Sequence, residues 1–429
     1  QIVETGLIKL YQITGKEEYL KLAKYYLDNR GNPNNHKLYG EYAQDHIPVI
    51  QQNEAVGHAV RAVYMYAGMT DIVAMTKDKA YENAVNNLWD NMVNKKMYIT
   101  GGIGSRHDGE AFGANYELPN LTAYNETCAA IGDVYWNHRL HNLYGKSQYF
   151  DVIERTMYNG LISGISLDGK QFFYPNALEA DGVYKSNRGS CTRQAWFDCS
   201  CCPTNLIRFI PSIPGLIYSK TKNDLYVNLY ASNDASFTLG KTDLQISQQT
   251  SYPWNGKVAI LVNPKKESKF TIKLRVPGWA RNEVLPGDLY TYKKASTQKP
   301  TITVNGEIVA IQPENGYFNV TRNWKKGDKI ALNFPMEVQE VETNSKVETN
   351  KNKVSLECGP LVYAVEEIDN KTNFDKINIS ASDTFKVRKE ANLLQGVNVI
   401  ENSKFKAIPY YSWSNRGVGK MKVWIDFKD

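Results

Sequence analysis

The sequence contains no run of roughly 18 consecutive apolar residues, so it offers no helix that could span a bilayer. It also lacks a clustered basic stripe. Lys and Arg number 51 against 45 Asp and Glu, a net charge of +6, and the two signs are interspersed. A nucleic-acid surface needs its positive charge gathered on one face. The basic pair in Trp324-Lys325-Lys326-Gly327-Asp328 reads instead as a solvated hairpin turn. The glycine run Gly101-Gly102-Ile103-Gly104 lacks the Lys-Ser/Thr ending of a phosphate loop, and no parallel strand–helix unit surrounds it. The first residues, Gln1-Ile2-Val3-Glu4-Thr5-Gly6-Leu7, have no Met, no signal-peptide architecture and no helix-start signal, yet they run straight into a helical pattern. Residue 1 is therefore expected not to be the natural start. The compartment cannot be read from this start; the expectation leans to the bacterial periplasm, with the cytoplasm as the alternative.

Cysteine is scarce but gathered. Of six in 429 residues, three fall within Asp198-Cys199-Ser200-Cys201-Cys202-Pro203; Cys191 lies just upstream and Cys128 in Asn125-Glu126-Thr127-Cys128. Adjacent cysteines strain the peptide between them if they pair with each other. In a chain of this size a dense thiol group points to metal binding or nucleophilic chemistry before a disulfide scaffold. Two plainer readings stand beside it: the thiols are buried small hydrophobes, or they pair with Cys191 or Cys128. Tyr is abundant, with 28 copies. Its flat apolar face and polar tip suit sugar binding, and it also fills ordinary cores.

The chain length allows two or three domains. From about Ile2 to Ser219, apolar residues recur at spacings of three and four, as in Val56-Ala59-Val60-Val63 and Phe150-Ile153-Met157-Leu161. An internal repeat matches Leu10-Tyr11, Thr14-Gly15-Lys16, Tyr19 and Leu22-Ala23 with Leu140-His141, Tyr144-Gly145-Lys146, Tyr149 and Val152-Ile153. Each copy reads as a helix, a tight glycine turn and a returning helix. A looser third copy spans Met65 to Tyr81 around Gly68-Met69-Thr70-Asp71. Repeated helix hairpins predict a bundle, a solenoid or a closed α/α toroid. About seven helices are countable, fewer than the twelve of a six-hairpin toroid, so upstream hairpins are expected to be missing. From Leu225 the period becomes two, in Leu225-Val227-Leu229, Phe270-Ile272-Leu274-Val276, Ile302-Val304 before Asn305-Gly306, and Ile330-Leu332-Phe334. This is sandwich sequence. A second β unit is expected from Val338, giving domains 1–224, 225–337 and 338–429.

The irregular stretch from Tyr98 to Asn120 holds five glycines and two glutamates, Glu110 and Glu117. Long glycine-rich loops in compact domains are usually functional or disordered, and the aromatics with Leu118-Pro119 argue for order. Glu126 and Cys128 are two apart, about 200° on a regular helix, so to share an ion they must lie in an extended turn before a helix starting at Ala129. Pro203 fits the first position of another helix, with Cys201 and Cys202 at its N-terminal end, where the dipole favours thiolate. Two thiols there, Cys128 and Glu126 would complete a tetrahedral Zn²⁺ site. The plainer reading of Glu126 is a helix N-terminal charge. By default His58 is a core histidine and Cys358 a buried small hydrophobe.

The run Gly101-Gly102-Ile103-Gly104, with Gly109-Glu110, Tyr116-Glu117-Leu118-Pro119-Asn120, Glu126-Thr127-Cys128 and Cys201-Cys202-Pro203, resembles glycoside hydrolase family 127. The best-known members of that family are β-L-arabinofuranosidases, and family 146 shares much of the pattern. Gln52 to Arg61 and Glu357 to Tyr363 extend the resemblance over nearly the whole chain. The resemblance implies an (α/α)6 toroid-type catalytic domain followed by two β-sandwich domains. It implies zinc held by Glu126, Cys128, Cys201 and Cys202, with Cys201 also the nucleophile and Glu110 the acid/base. Glu117 is the rival acid. His58 and Tyr174 match sugar-contacting positions. A thiolate would then replace the nucleophilic carboxylate of a retaining glycosidase, acting on a plant-type oligosaccharide. Cys191 and Cys199 have no place in the pattern. The competing expectations are a non-catalytic carbohydrate-binding protein with a structural zinc, and a hydrolase of another pectic side-chain sugar. An oligomer is compatible with either.

Overall fold

The computed structural model describes residues 1–371 and 374–428. Its first half is helical and its second half is built from strands. The described α-helices are α1 (Val3–Thr14), α2 (Glu17–Asn29), α3 (Ala59–Thr76), α4 (Lys79–Lys95), α5 (Thr127–Tyr144), α6 (Gln148–Arg155), α7 (Cys201–Phe209) and the single turn α8 (Pro214–Ile217). The pairs α1/α2, α3/α4 and α5/α6 are hairpins. α1 packs on α3, α3 on α5 and α5 on α7, so the odd-numbered helices form a continuous layer backed by their partners. α3 and α5 are buried on almost every side, through residues such as Val63, Tyr66 and Ile72, and Ile131, Trp136 and Leu140. That is the pattern of a helix enclosed by neighbours rather than one facing water.

Both copies of the internal repeat turn as expected. Gly15 (φ 68°) ends α1 with its N–H on the Tyr11 carbonyl, and Gly145 (φ 66°) ends α5 on the His141 carbonyl. The third copy does not turn at Gly68. α3 runs unbroken through it, and the chain reverses at Lys77 (φ 56°) and Asp78, whose carboxylate caps α4. Gly68 serves packing instead: a Cβ there would come within 3.0 Å of the Glu4 side chain on α1.

The strand-rich half begins at Tyr218–Lys220, which pairs with Asp224–Val227, a few residues before the expected change at Leu225. A four-stranded sheet and a six-stranded sheet enclose one core, to which Leu225, Ile272, Leu274 and Phe318 contribute from one side and Ile246, Ile260, Val304 and Ile330 from the other. A larger third sheet is made mainly of strands after Val338. Two outlying segments join it. Tyr290–Tyr292 pairs with Val341–Thr343, and Glu179–Asp181, from the helical half, pairs with Lys420–Lys422. The third sheet and the helical turn Glu348–Asn350 beside it also brace the irregular loops: Asn120 donates to the Asn350 side chain at 2.8 Å, and Tyr290 donates to the Met97 carbonyl at 2.8 Å.

The junction between the helices and the middle sheets is polar and buried. Arg275 is fully buried; it pairs with Asp151 on α6 at 2.7 Å and with Glu154, and donates to the Asn228 carbonyl. Removing one partner from such a cluster leaves charge without compensation. Arg275→Met is therefore expected to destabilise the protein by about 3–5 kcal/mol. Urea unfolding followed by circular dichroism measures this, and an unchanged midpoint would contradict it.

Candidate active site

Two helix N-termini converge at the centre of the helical half. Glu126 caps α5 in an extended conformation (φ −62°, ψ 135°), and Cys128 is the second residue of that helix. Cys201 and Cys202 are the first two residues of α7, with Ser200 at the cap. The expected geometry is corrected in two details. Cys128 lies inside the helix rather than in a preceding turn, and Pro203 is the third helical residue rather than the first. Because the backbone is extended at Glu126, the 200° phase argument does not apply, and its side chain reaches the same side as Cys128. Both helices direct their free N–H groups and positive ends toward the cluster, which favours anionic ligands.

One ligand atom each from Glu126, Cys128, Cys201 and Cys202 lies within 4.8 Å of all the others. The Cys128 and Cys201 sulfurs are 3.7 Å apart, and those of Cys201 and Cys202 3.9 Å. Glu126 Oε1 is 3.4 Å from the Cys202 sulfur and 3.6 Å from that of Cys201. A tetrahedron with sulfurs about 2.3 Å from its centre has S···S edges of about 3.8 Å, so the donor set fits Zn²⁺. Glu126 Oε2 is buried without a hydrogen-bond partner, a further sign that this pocket of donors suits a cation. Burial raises the carboxyl pKa of Glu126. Thiol donation from Cys128 and Cys202, with the Tyr174 hydroxyl behind them, pulls that of Cys201 far below the ordinary thiol range. Cys128, Cys202 and Glu126 are buried; Cys201 is only half-buried, which makes it the sulfur of this set that a substrate can reach.

The irregular stretch supplies the next group. Glu110 sits in a tight turn after His107, with left-handed backbone at both Gly109 (φ 64°) and Glu110 (φ 50°). Such a conformation in a glutamate costs about 1–3 kcal/mol and is typical of a side chain held for function. His58, at the cap of α3, contacts Glu110 Oε2 at 3.0 Å. Tyr124 donates to Oε1 at 2.9 Å, and Arg188 pairs with the same oxygen. Chiefly through His58, then Tyr124 and Arg188, these donors hold the Glu110 pKa well below the usual carboxylate range. His58, Glu110 and Glu126 again bring one ligand-type atom each within 4.8 Å of one another. Tyr174 completes the group, its hydroxyl 2.8 Å from the Cys201 sulfur.

The structure thus brings together Cys201, Cys202, Cys128, Glu126, Glu110, His58 and Tyr174. Glu117 is engaged elsewhere, in a two-bond pair with Arg106 at 2.7 and 2.6 Å and as acceptor of the Ala114 N–H. No cysteine is paired in a disulfide. Cys191 bonds the Val183 carbonyl, Cys199 is exposed, and Cys358 is buried at the end of its strand. Tyr124 and Arg188 were not expected from the sequence. Tyr124 is two residues from Glu126 and so was findable by proximity; nothing near Arg188 signals its role.

Known proteins resemble this chain along nearly its whole length. The model of the β-L-arabinofuranosidase GH127 catalytic domain matches residues 1–215, that of the GH127 middle domain residues 224–336, and that of the family 127 C-terminal domain residues 338–426. A non-reducing end β-L-arabinofuranosidase from Bifidobacterium longum subsp. longum is 32% identical over 477 residues, covering 98% of this chain and 70% of that protein. A solved GH127 β-arabinofuranosidase superposes with TM-score 0.93 at 48% identity, covering 100% of this chain and 68% of its own. A GH127 β-L-arabinofuranosidase from Geobacillus stearothermophilus T6 does so with TM-score 0.91 at 39% identity, covering 100% and 72%. With its helical region followed by β-rich domains, and relatives alike over nearly all of its length, the chain belongs to glycoside hydrolase family 127 and is a glycoside hydrolase.

Proposed function

We propose that the protein is a retaining β-L-arabinofuranosidase that removes terminal β-L-arabinofuranose from plant-derived glycans, with Cys201 as nucleophile and Glu110 as acid/base. The observation that carries this reading is the half-buried Cys201 sulfur beside three buried ligand-type groups, with Glu110 next to Glu126. The substrate is taken from the relatives' activity. The fold is read as an α/α toroid-type domain over 1–224 with β-sandwich domains at 225–337 and 338–429, supported by the stacked hairpins and the two sheets around one core.

In the first step the Cys201 sulfur attacks the anomeric carbon, the C–O bond breaks, and Glu110 gives its proton to the leaving oxygen. In the second, Glu110 takes a proton from water as the water oxygen bonds the anomeric carbon and the C–S bond breaks. Glu110 starts the second step ionised, the state its three donors favour; to start the first it must take up a proton against that preference, the one it regains from water at the end of each cycle. Tyr174 donates to the sulfur when it carries charge and steadies it as it departs. His58 orients the Glu110 carboxylate from its other oxygen. Glu126, Cys128, Cys201 and Cys202 would hold Zn²⁺, which when bound keeps the sulfurs ionised and draws charge from the departing thiolate.

Elemental analysis of purified protein is expected to find stoichiometric zinc. Cys128→Ser is expected to lower both zinc content and release of arabinose at least about tenfold, by removing a buried ligand. Full activity in zinc-free Cys128→Ser protein would refute the metal assignment.

A further inference from the structure

Arg188 makes and breaks no bond in the two steps above, and beyond its pairing with Glu110 it has no assigned role, yet it touches the groups that perform them. It stands at the tip of the loop between Glu179–Asp181 and α7, with a left-handed backbone (φ 50°) unusual for arginine. The buried Asn187 holds that tip. Its side chain accepts the Tyr174 N–H at 2.9 Å and donates to the Phe172 and Thr192 carbonyls at 3.1 and 2.9 Å. The Gln194 amide adds a bond to the Asn187 carbonyl. The guanidinium so presented lies 4.2 Å from the centre of the Tyr174 ring, donates from Nη2 to the Tyr124 hydroxyl at 2.8 Å, and meets Glu110 Oε1 with the same nitrogen. Both bonds use one corner of a fork that carries five donors. The Arg188 side chain is 42% exposed, against 12% for His58 on the other Glu110 oxygen.

We infer that Arg188 is a specificity residue for the leaving group, whose uncommitted donors bind the hydroxyls of the sugar that departs. The inference rests on the reading of Glu110 as the acid. A leaving oxygen protonated by Glu110 must sit against its carboxylate, and Arg188 already sits there, so whatever is bonded to that oxygen enters beside the guanidinium. A planar fork of N–H groups, fixed over the Tyr174 ring, matches neighbouring hydroxyls of a sugar and finds no partner in a simple alkyl group. Being the more exposed contact, Arg188 faces the side from which the leaving sugar comes.

The test compares a β-L-arabinofuranosyl disaccharide with methyl β-L-arabinofuranoside. Both release an alkyl-type alcohol, so both depend on Glu110 alike and differ in the hydroxyls offered to Arg188. Arg188→Ala is expected to cut kcat/KM for the disaccharide about tenfold more than for the methyl glycoside, the scale of a lost charge-assisted hydrogen bond, with much of the difference in KM. Equal losses on the two substrates would overturn the inference and leave Arg188 as a support for Glu110; no loss on either would also overturn it. Arg188→Lys keeps a positive charge beside Glu110 without the fork, and is expected to show the same split, so a fold defect in the alanine variant does not hide the result. Wild-type protein inert on both substrates would instead refute the β-L-arabinofuranosidase reading, and the inference with it.

Discussion

Cys201→Ser protein is expected to hydrolyse β-L-arabinofuranosides about 10⁴-fold more slowly than wild type, or less, while keeping its fold. Serine preserves the size of the side chain and can still meet the Tyr174 hydroxyl, but it cannot be the polarisable thiolate that the cluster stabilises. The half-buried first position of α7 places few demands on packing, so circular dichroism and the melting temperature are expected to stay close to wild type. The loss then reports the site rather than unfolding, and because Cys201 is also one of the four proposed zinc ligands, the zinc content of the same sample separates a lost nucleophile from a lost metal. Residual activity within tenfold of wild type would remove Cys201 from the nucleophile role.

Glu110→Gln is expected to have the second-largest effect, about 10²–10⁴-fold on substrates with a sugar leaving group. Glutamine keeps the shape of the side chain in its left-handed turn and retains an oxygen for His58 or Tyr124, yet it neither gives nor takes a proton. The effect should separate by step. An activated aryl glycoside leaves without protonation, so its first turnover is expected to survive as a burst, followed by a slow steady state because no base activates water. Stopped-flow measurement of aryl release tests this. A uniform slowing of burst and steady state would assign the acid/base role elsewhere; Glu117, tied to Arg106, is poorly placed to take it.

The features legible in the sequence are those set by local stereochemistry. Gly15 and Gly145 end helices in left-handed conformations because a glycine adopts them without strain. The alternation in residues such as Ile302-Val304 and Ile330-Leu332 fixes which face of each strand is buried. The thiol cluster was legible because all four of its ligands lie in two short runs, Glu126 with Cys128 and Cys201 with Cys202. The rest depended on contacts between distant segments. Gly68 looked like a turn and is a packing site, because what it accommodates is Glu4 on another helix. Helix α7 starts at Cys201, two residues before Pro203, so the proline does not mark its first position. Glu110 and Glu117 lie in the same irregular stretch; they part because Arg106 claims one while His58, Tyr124 and Arg188 gather round the other. Arg188 itself was invisible, since its loop position is dictated by Asn187 bonding across to Phe172 and Tyr174.

The central claim is a covalent bond between Cys201 and the sugar. It is tested most directly by mixing Glu110→Gln protein with an activated aryl β-L-arabinofuranoside, quenching, and mapping the digested protein by mass spectrometry. The first step proceeds without an acid and the second lacks its base, so one anhydropentose is expected to accumulate on the Cys201 sulfur. An adduct on a carboxylate such as Glu126, or turnover with no adduct and an inverted product, would contradict the account.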